Sequence, residues 1–353
     1  MIAAEDEAKG RVQAESMVPP AKSEQPARAE ASRARAGLFG RWEVVLVLLL
    51  VAVCAGNTWA SPYFLDAQNL LDSTQSFSEK ALMALGMALI IIGRDIDLSV
   101  AAIVALCGTA IGWLATQGVG TAGLVVASVA SGTVLGMFNG ALVARLGLPA
   151  IVVTIGTMSL FRGISFVALG DGAYTAFPEG FDALGQGYLF GVIPHELLVL
   201  VVFAAAFYVL LHHTRIGRRL YAYGQNPDAA RYSGIAVEAH RFWFFTLNGS
   251  MSGLAAALLT SRIGAARPNM ASGWDLEVIA IVVLGGVGIG GGSGRMSGVI
   301  LAVFVMGLLT FGLGLSNVPG IILNIIVGAL LVASVALPAV LKKVASHRDG
   351  ARS

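Results

Sequence analysis

The sequence predicts an all-α, polytopic membrane protein of about ten transmembrane helices in two inverted five-helix repeats. Three observations carry that expectation. Over 353 residues the chain is 56% hydrophobic and 12% charged, with mean hydropathy +0.77, where a soluble domain carries roughly twice that charge. Ten apolar stretches follow one another, separated by short polar breaks. Two segments of the first half recur in the second, in the same order.

From the N-terminus, residues 1–38 mix charges, Ala and Pro with no sustained apolar face, and read as a disordered cytoplasmic tail. Arg28, Arg33, Arg35 and Arg41 before VVLVLLLVAVCA imitate a signal peptide. The tail is long for an n-region and more spans follow, so an uncleaved first helix is expected. Residues 39–341 form the transmembrane domain, with a cytoplasmic loop at 213–241, and 342–353 a cytoplasmic C-terminal tail. A net charge of +2 gives no support to nucleic-acid binding. Cys54 and Cys107 lie in apolar runs without His or Cys at ligand spacing, which argues against a disulfide framework or a metal site.

The spans lie near 43–60, 76–93, 98–116, 121–145, 149–170, 195–212, 242–260, 276–290, 297–315 and 320–341. Several are short for a bilayer that needs about 20 residues, which predicts tilted, broken or re-entrant segments. An even number puts both termini on one face. With that face cytoplasmic, it receives seven Lys and Arg from the residues before the first span (Arg41 included), five from the 212–241 loop, four from the last tail, and Arg94, Arg145 and Arg295. Those are 19 of the 23, as the positive-inside rule requires.

Asp97–Leu106 aligns without gaps to Asp275–Leu284, with identity at seven of ten positions, and Leu146-Gly-Leu-Pro149 is echoed by Leu313-Gly-Leu and Pro319. The members of each pair stand five spans apart. An odd offset makes the halves cross the membrane in opposite directions, the inverted repeat of many transporters, with a pathway between halves. Asp97 and Asp275 suit either that pathway or plain helix N-caps.

Gly286-Val-Gly-Ile-Gly-Gly291 matches GxGxxG, but it follows an apolar span, and no acid between Glu277 and Asp349 could hold a ribose. The glycines are expected to make a tight turn. No GxxxxGK[ST], HExxH or GxSxG occurs, so the chain is expected to have no ATPase site or other catalytic site and to bind no cofactor. Ionisable residues inside spans read as few: Arg162 and Glu277 near span ends, and Arg94, Asp95 and Asp97 at the junction of the second and third spans. That scarcity weighs against an ion-coupled secondary carrier. Neutral polar groups, Asn139, Thr154, Thr157, Asn248 and Asn324 among them, suit an uncharged, hydroxyl-rich solute. Many such groups merely bond between helices.

In the loop at 213–241, Asn226-Pro-Asp228 signals a helix start with Pro at its first position, and Ala229–Ser233 a short helix ending at Gly234. Ile216, Leu220, Tyr221, Tyr223 and Tyr232 are too many apolar residues for a loop that meets only water, and they predict a docking surface.

Ile96-Asp97-Leu-Ser-Val100, Asn139-Gly140, Pro149 through Thr157, Thr214-Arg-Ile-Gly-Arg218 through Gly224-Gln-Asn226, Ala229-Ala-Arg231-Tyr-Ser-Gly234 and Ile279 through Gly286 together resemble the permeases of bacterial sugar ABC importers. That group handles ribose, xylose, arabinose and galactose, with rhamnose and autoinducer-2 branches, and the resemblance covers about residues 42–341. It implies an inner-membrane permease, both termini cytoplasmic, in a homo- or heterodimer of permeases among membrane lipid. It further implies a periplasmic sugar-binding protein and a cytoplasmic ABC ATPase that uses the ATP and contacts Gly224, Asn226, Asp228, Ala229, Ala230, Arg231 and Gly234. Arg94, Asp95, Asp97 and Asp275 are expected to be structural junctions. The family's usual Gly-Gly-Ile-Asp-Leu-Ser-Val-Gly reads here Gly93-Arg94-Asp95-Ile96-Asp97 with Ala101 last, which resembles rhamnose-type more than ribose-type permeases. The rivals are a secondary carrier and a vitamin or metal-chelate permease of ten-helix architecture.

Overall fold

The computed structural model describes residues 25–320 together with 322, 325, 326, 328, 329 and 332, with side chains from Trp42 onward. Residues 1–42 form one unit and 43–353 another. The tenth span, Asn324 and the C-terminal tail lie wholly or mostly outside the described residues. Helix α1 is Gln25–Ala60. Residues 25–38, expected to be unstructured, are therefore helical; their Ala, Arg and Glu are strong helix formers even without an apolar face.

Among the described residues the second unit is helical apart from a short hairpin, β1 (Tyr188–Leu189) and β2 (Ile193–Pro194), and an isolated bridge between Tyr174 and Ala266. Its further helices are α2 (Ala67–Ser73), α3 (Ser78–Ile92), α4 (Val100–Thr116), α5 (Thr121–Gly140), α6 (Ala150–Leu169) and α7 (Ala183–Gln186). They are followed by α8 (His195–His213), α9 (Arg215–Gln225), α10 (Pro227–Tyr232), α11 (Val237–Ile263), α12 (Trp274–Leu284) and α13 (Met296–Leu315). Among the described residues six helices are long and apolar enough to cross a membrane, or seven if the pair 67–76 and 78–92, bent by 54°, is one span. Of the other four expected spans, the tenth lies mostly outside the described residues, the third is α4, of 17 residues, and the second and eighth are shortened locally. Helices α3 and α12, with 15 and 11 residues, extend only about 22 and 16 Å, against a hydrocarbon core of about 30 Å. Non-helical breaks at 93–99 and 285–295 follow them.

Helix α11 is the central post, buried along most of its length, and packs on α3, α4 and α5. Its contact with α5 is made by small residues. Ser128, Gly132, Gly136 and Gly140 recur every fourth position on α5, one face of a helix, and the three from Ser128 to Gly136 lie against Gly249 and Gly253. A Cβ on Gly249 would stand 2.6 Å from Gly136 Cα. Backbones this close gain dispersion and polar contacts that lipid cannot replace. Ser128 Oγ donates to Gly253 O at 2.6 Å, and Thr133 Oγ1 meets Ser250 Oγ at 2.7 Å.

Helix polarity follows from end-to-end contacts. At one end α3 begins beside the start of α12, with Lys80 Nζ 2.7 Å from Glu277 Oε1, and beside the end of α11, with Glu79 on Arg262. At the other end Ile92 O, closing α3, accepts from Gly292 N at 2.8 Å. Helix α4 starts near the latter end and its later residues Gly108 and Gly112 lie by Met270 and Tyr174. Asp97 and Asp275 therefore stand at opposite ends of α3, about 22 Å long. By the same contacts α1 opposes α8, α3 opposes α11, α4 opposes α12 and α5 opposes α13, the polarity an inverted five-helix repeat demands. The second repeat pair is equivalent too. Gly147 (φ 69°) and Asn317 (φ 54°) each make a left-handed turn two residues before a proline, Pro149 and Pro319.

Candidate functional site

The break after α3 places three charged residues in three environments. Arg94 takes the left-handed φ of 71° and lays its side chain on Gly291, with Nη1 3.4 Å from Gln225 O. Asp95 is gripped by Arg241 of α11, whose Nε donates to Oδ2 at 2.7 Å and Nη2 to Oδ1 at 2.6 Å, the bidentate geometry that suits guanidinium and carboxylate. Asp97 is fully buried. Its Oδ1 accepts from Ser99 N (2.9 Å) and Ser99 Oγ (2.6 Å), and its Oδ2 from Asn248 Nδ2 at 2.9 Å. Asn139 Nδ2 donates to the same Ser99 Oγ at 2.7 Å. The carboxylate thus closes the turn leading into α4 and ties it to α11, with donors offsetting its dehydration. Asp97 thus serves the junction through Ser99 and Asn248, and Arg94 turns instead to Gln225 O.

The pathway residues named from sequence gather around this junction. Asn139, Thr154, Thr157 and Asn248 are all buried. Thr154 Oγ1 lies 3.3 Å from Ile96 O, and Thr157 Oγ1 3.4 Å from Thr154 O. Asn248 fits because Gly86 carries no side chain; a Cβ there would stand 2.5 Å from its Oδ1. Asn139 Oδ1 and Asn248 Oδ1 have no donor among the described residues. Asp275 lies elsewhere, in the first turn of α12, whose cap position is Gly273. It is therefore not an N-cap.

The hairpin of α9 and α10 sits at the end of the bundle near Asp95. Asn226 caps α10, its Oδ1 accepting from Asp228 N (3.1 Å) and Ala229 N (3.0 Å), with Pro227 first in the helix and Gly234 (φ 81°) beyond it. Sequence signals located this helix but missed α9, which is amphipathic: Leu220 and Tyr223 face inward while Arg215, Arg218 and Arg219 face out. Tyr221 donates to Gly294 O at 2.7 Å, and burial pushes its phenol up to about 12. Gly224 lets α9 touch the glycine turn: a Cβ there would stand 2.7 Å from Gly292 N and would also meet Ile92 O. The hairpin is thus docked on both breaks at once. Of the expected docking residues, Ile216 and Tyr232 are exposed, whereas Leu220 and Tyr223 belong to the fold's interior. Ala230 is 5% exposed, so it faces the hairpin's own interior and is not open to a partner; Ala229 is exposed.

Two buried acids escaped the sequence reading. Glu79 and Glu196 are each 0% exposed, within the predicted second and sixth spans. Their signal was an acid in the first turn of an apolar run, where it resembles an ordinary surface terminus. The scarcity argument against ion coupling is weakened accordingly.

The family described as branched-chain amino acid transport system / permease component matches residues 69–335. The ribose import permease protein RbsC of Escherichia coli (strain K12) is 36% identical over 260 residues, covering 72% of this chain and 80% of that protein. RbsC of Bacillus subtilis (strain 168) is 35% identical over 258 residues, 72% of this chain and 79% of its own. The autoinducer 2 import system permease protein LsrC of Shigella flexneri is 35% identical over 261 residues, 73% and 75%. No solved structure matches the chain. These relatives give no support to the rhamnose expectation. The chain therefore belongs to the branched-chain amino acid transport system / permease component family, as a permease of the kind that the ribose and autoinducer-2 import proteins represent.

Proposed function

We propose that this chain is the inner-membrane subunit of an ATP-binding-cassette importer and moves a small neutral sugar by alternating access. The observation that carries this is the α9–α10 hairpin, which is exposed on one side and docked through Gly224 on the end of α3 and on the glycine turn. A partner that pushes on it moves both breaks, and with them the Asp97 junction. In this reading the partner is a cytoplasmic ATPase, which binds and hydrolyses the ATP, and the contact residues are Asn226, Asp228, Ala229, Arg231 and Gly234, while the buried Gly224 joins the hairpin to the breaks. Both termini are cytoplasmic, a second permease completes the pathway, and a periplasmic binding protein delivers the sugar.

Asn139, Thr154, Thr157 and Asn248 supply the amide and hydroxyl groups that a hydroxyl-rich solute bonds. A zwitterionic amino acid, the solute class in the family's description, needs free opposite charges, but Asp95 and Arg241 already satisfy each other. The ribose and autoinducer-2 relatives support the sugar reading as well.

The test is vanadate-sensitive ATP hydrolysis co-purifying with the chain from native membranes. It should accompany the wild type and vanish with Ala229→Trp, which places a ring on an exposed face without entering the fold. Ribose uptake that survives vanadate would instead identify a secondary carrier.

A further inference from the structure

At the end of the bundle opposite the hairpin, three helix ends meet. The first turns of α3 and α8 bring Glu79 and Glu196, and the last turn of α11 brings Arg262. Arg262 Nε donates to Glu79 Oε1 at 2.7 Å. Glu79 Oε2 and both oxygens of Glu196 meet no donor among the described residues, although both side chains are completely buried. Glu196 lies within the field of both Glu79 and Arg262.

The neighbouring charges are engaged elsewhere. Lys80, next to Glu79 on α3, points its Nζ to Glu277 at 2.7 Å and over the Trp274 ring at 4.9 Å. His195, next to Glu196, holds Ala183 O at 2.6 Å through Nδ1. Helix α13, which also packs on α8, contains no ionisable residue. Two carboxyl groups thus share one guanidinium. A dehydrated carboxylate without a donor is far more costly than a neutral acid, and two adjacent carboxylates repel. Glu79 has the guanidinium's hydrogen bond; Glu196, in the field of the same Arg262, has no donor among the described residues.

We propose that Glu196 binds a proton and shares it with Glu79, so that the buried cluster carries no net charge. The ligand is H⁺ taken from water. The carboxylic O–H of Glu196 is the donor that the cluster lacks, and Glu79 Oε2 is the acceptor without one. Glu79 belongs to the first half of the inverted repeat, and Glu196 and Arg262 to the second. The proton therefore holds the halves together at this end, and its loss leaves repelling carboxylates between them. The site makes this face sensitive to pH whatever solute is carried.

The test uses the purified full-length protein in lipid nanodiscs. Infrared difference spectra on H₂O/D₂O exchange at neutral pH should show the carbonyl stretch of a protonated carboxylic acid. Glu196→Gln should remove that band and Glu277→Gln should leave it. The folded chain holds a proton that the unfolded chain releases, so stability should fall as pH rises from about 6 to about 8, with a tenfold drop in the folded ratio per pH unit. Glu196→Gln, permanently neutral, should abolish that slope. Absence of the band in the wild type overturns the proposal even if the variant fails to fold. So does a band or slope that survives Glu196→Gln, or a band that added Na⁺ displaces, which would make the ligand a metal cation.

Discussion

Placing a single methyl group between α5 and α11 tests the packing of the central post. In Gly249→Ala the new Cβ would stand 2.6 Å from Gly136 Cα and 2.8 Å from Gly136 N, and would also meet Gly132 O. All three are backbone atoms, which cannot rotate away as a side chain can. Carbon atoms at rest sit about 3.5–4.0 Å apart, so the helices must separate by about 1 Å. That separation strains the Ser128–Gly253 hydrogen bond and pulls Asn248, one residue away, from Asp97. Overpacking of this kind costs about 1–3 kcal/mol, and one weakened hydrogen bond adds about 1 kcal/mol. We expect a loss of about 2–4 kcal/mol. Gly156→Ala on α6 is the matched control, since a Cβ there meets nothing within 4 Å. Replacing a mid-helix glycine should stabilise it by about 0.5–1 kcal/mol. The assay is the melting temperature of purified protein in one detergent, with shifts of opposite sign for the two variants. If Gly249→Ala melts at or above the wild type, or if both variants fall equally, close backbone approach does not hold α5 to α11.

Three further outcomes follow from named contacts. Arg241→Gln strands the Asp95 carboxylate, which is only about a tenth exposed, and should cost about 3–5 kcal/mol; adding Asp95→Asn should restore part of it in a double-mutant cycle of melting temperatures. Asp97→Asn replaces one carboxylate acceptor by an NH2 donor, which then opposes the Asn248 Nδ2 or Ser99 donors, and should lower folded yield or transport rate while leaving the ranking of competing sugars unchanged, as competition assays would show. Ala230→Trp should reduce folded yield on size-exclusion chromatography, because Ala230 is buried in the hairpin, whereas Ala229→Trp should fold like the wild type.

Much of the coarse fold was legible because it depends on composition and local pattern. Apolar runs and low charge gave the helical membrane class. The spaced repeats gave opposed halves, and the structure carries their antiparallel polarity through contacts such as Glu79 with Arg262. Helix α10 was readable because Asn226 bonds the backbone only two and three residues ahead. The amphipathic α9 was not legible because its apolar residues Leu220 and Tyr223 read as facing a partner, whereas they pack into the chain's own interior. The apolar runs at 76–93 and 276–290 already read as short for a bilayer, and the breaks at 93–99 and 285–295 leave α3 and α12 shorter still, at 15 and 11 residues.

The sequence by itself determined the elements whose causes lie within one or two helical turns: apolar spans, the capped α10 and the left-handed turns before Pro149 and Pro319. Only the tertiary structure decided which polar groups meet, because their partners lie far along the chain. Asp95 finds Arg241 146 residues away, Asp97 finds Asn248 at 151, and Glu79 finds Arg262 at 183. A buried charge is stable only with a partner, and nothing in the local pattern around Glu79 or Glu196 says which helix face will supply one. Packing of the glycine faces on α5 and α11 sets those distances, and so fixes which acids are paired and which is left without a donor.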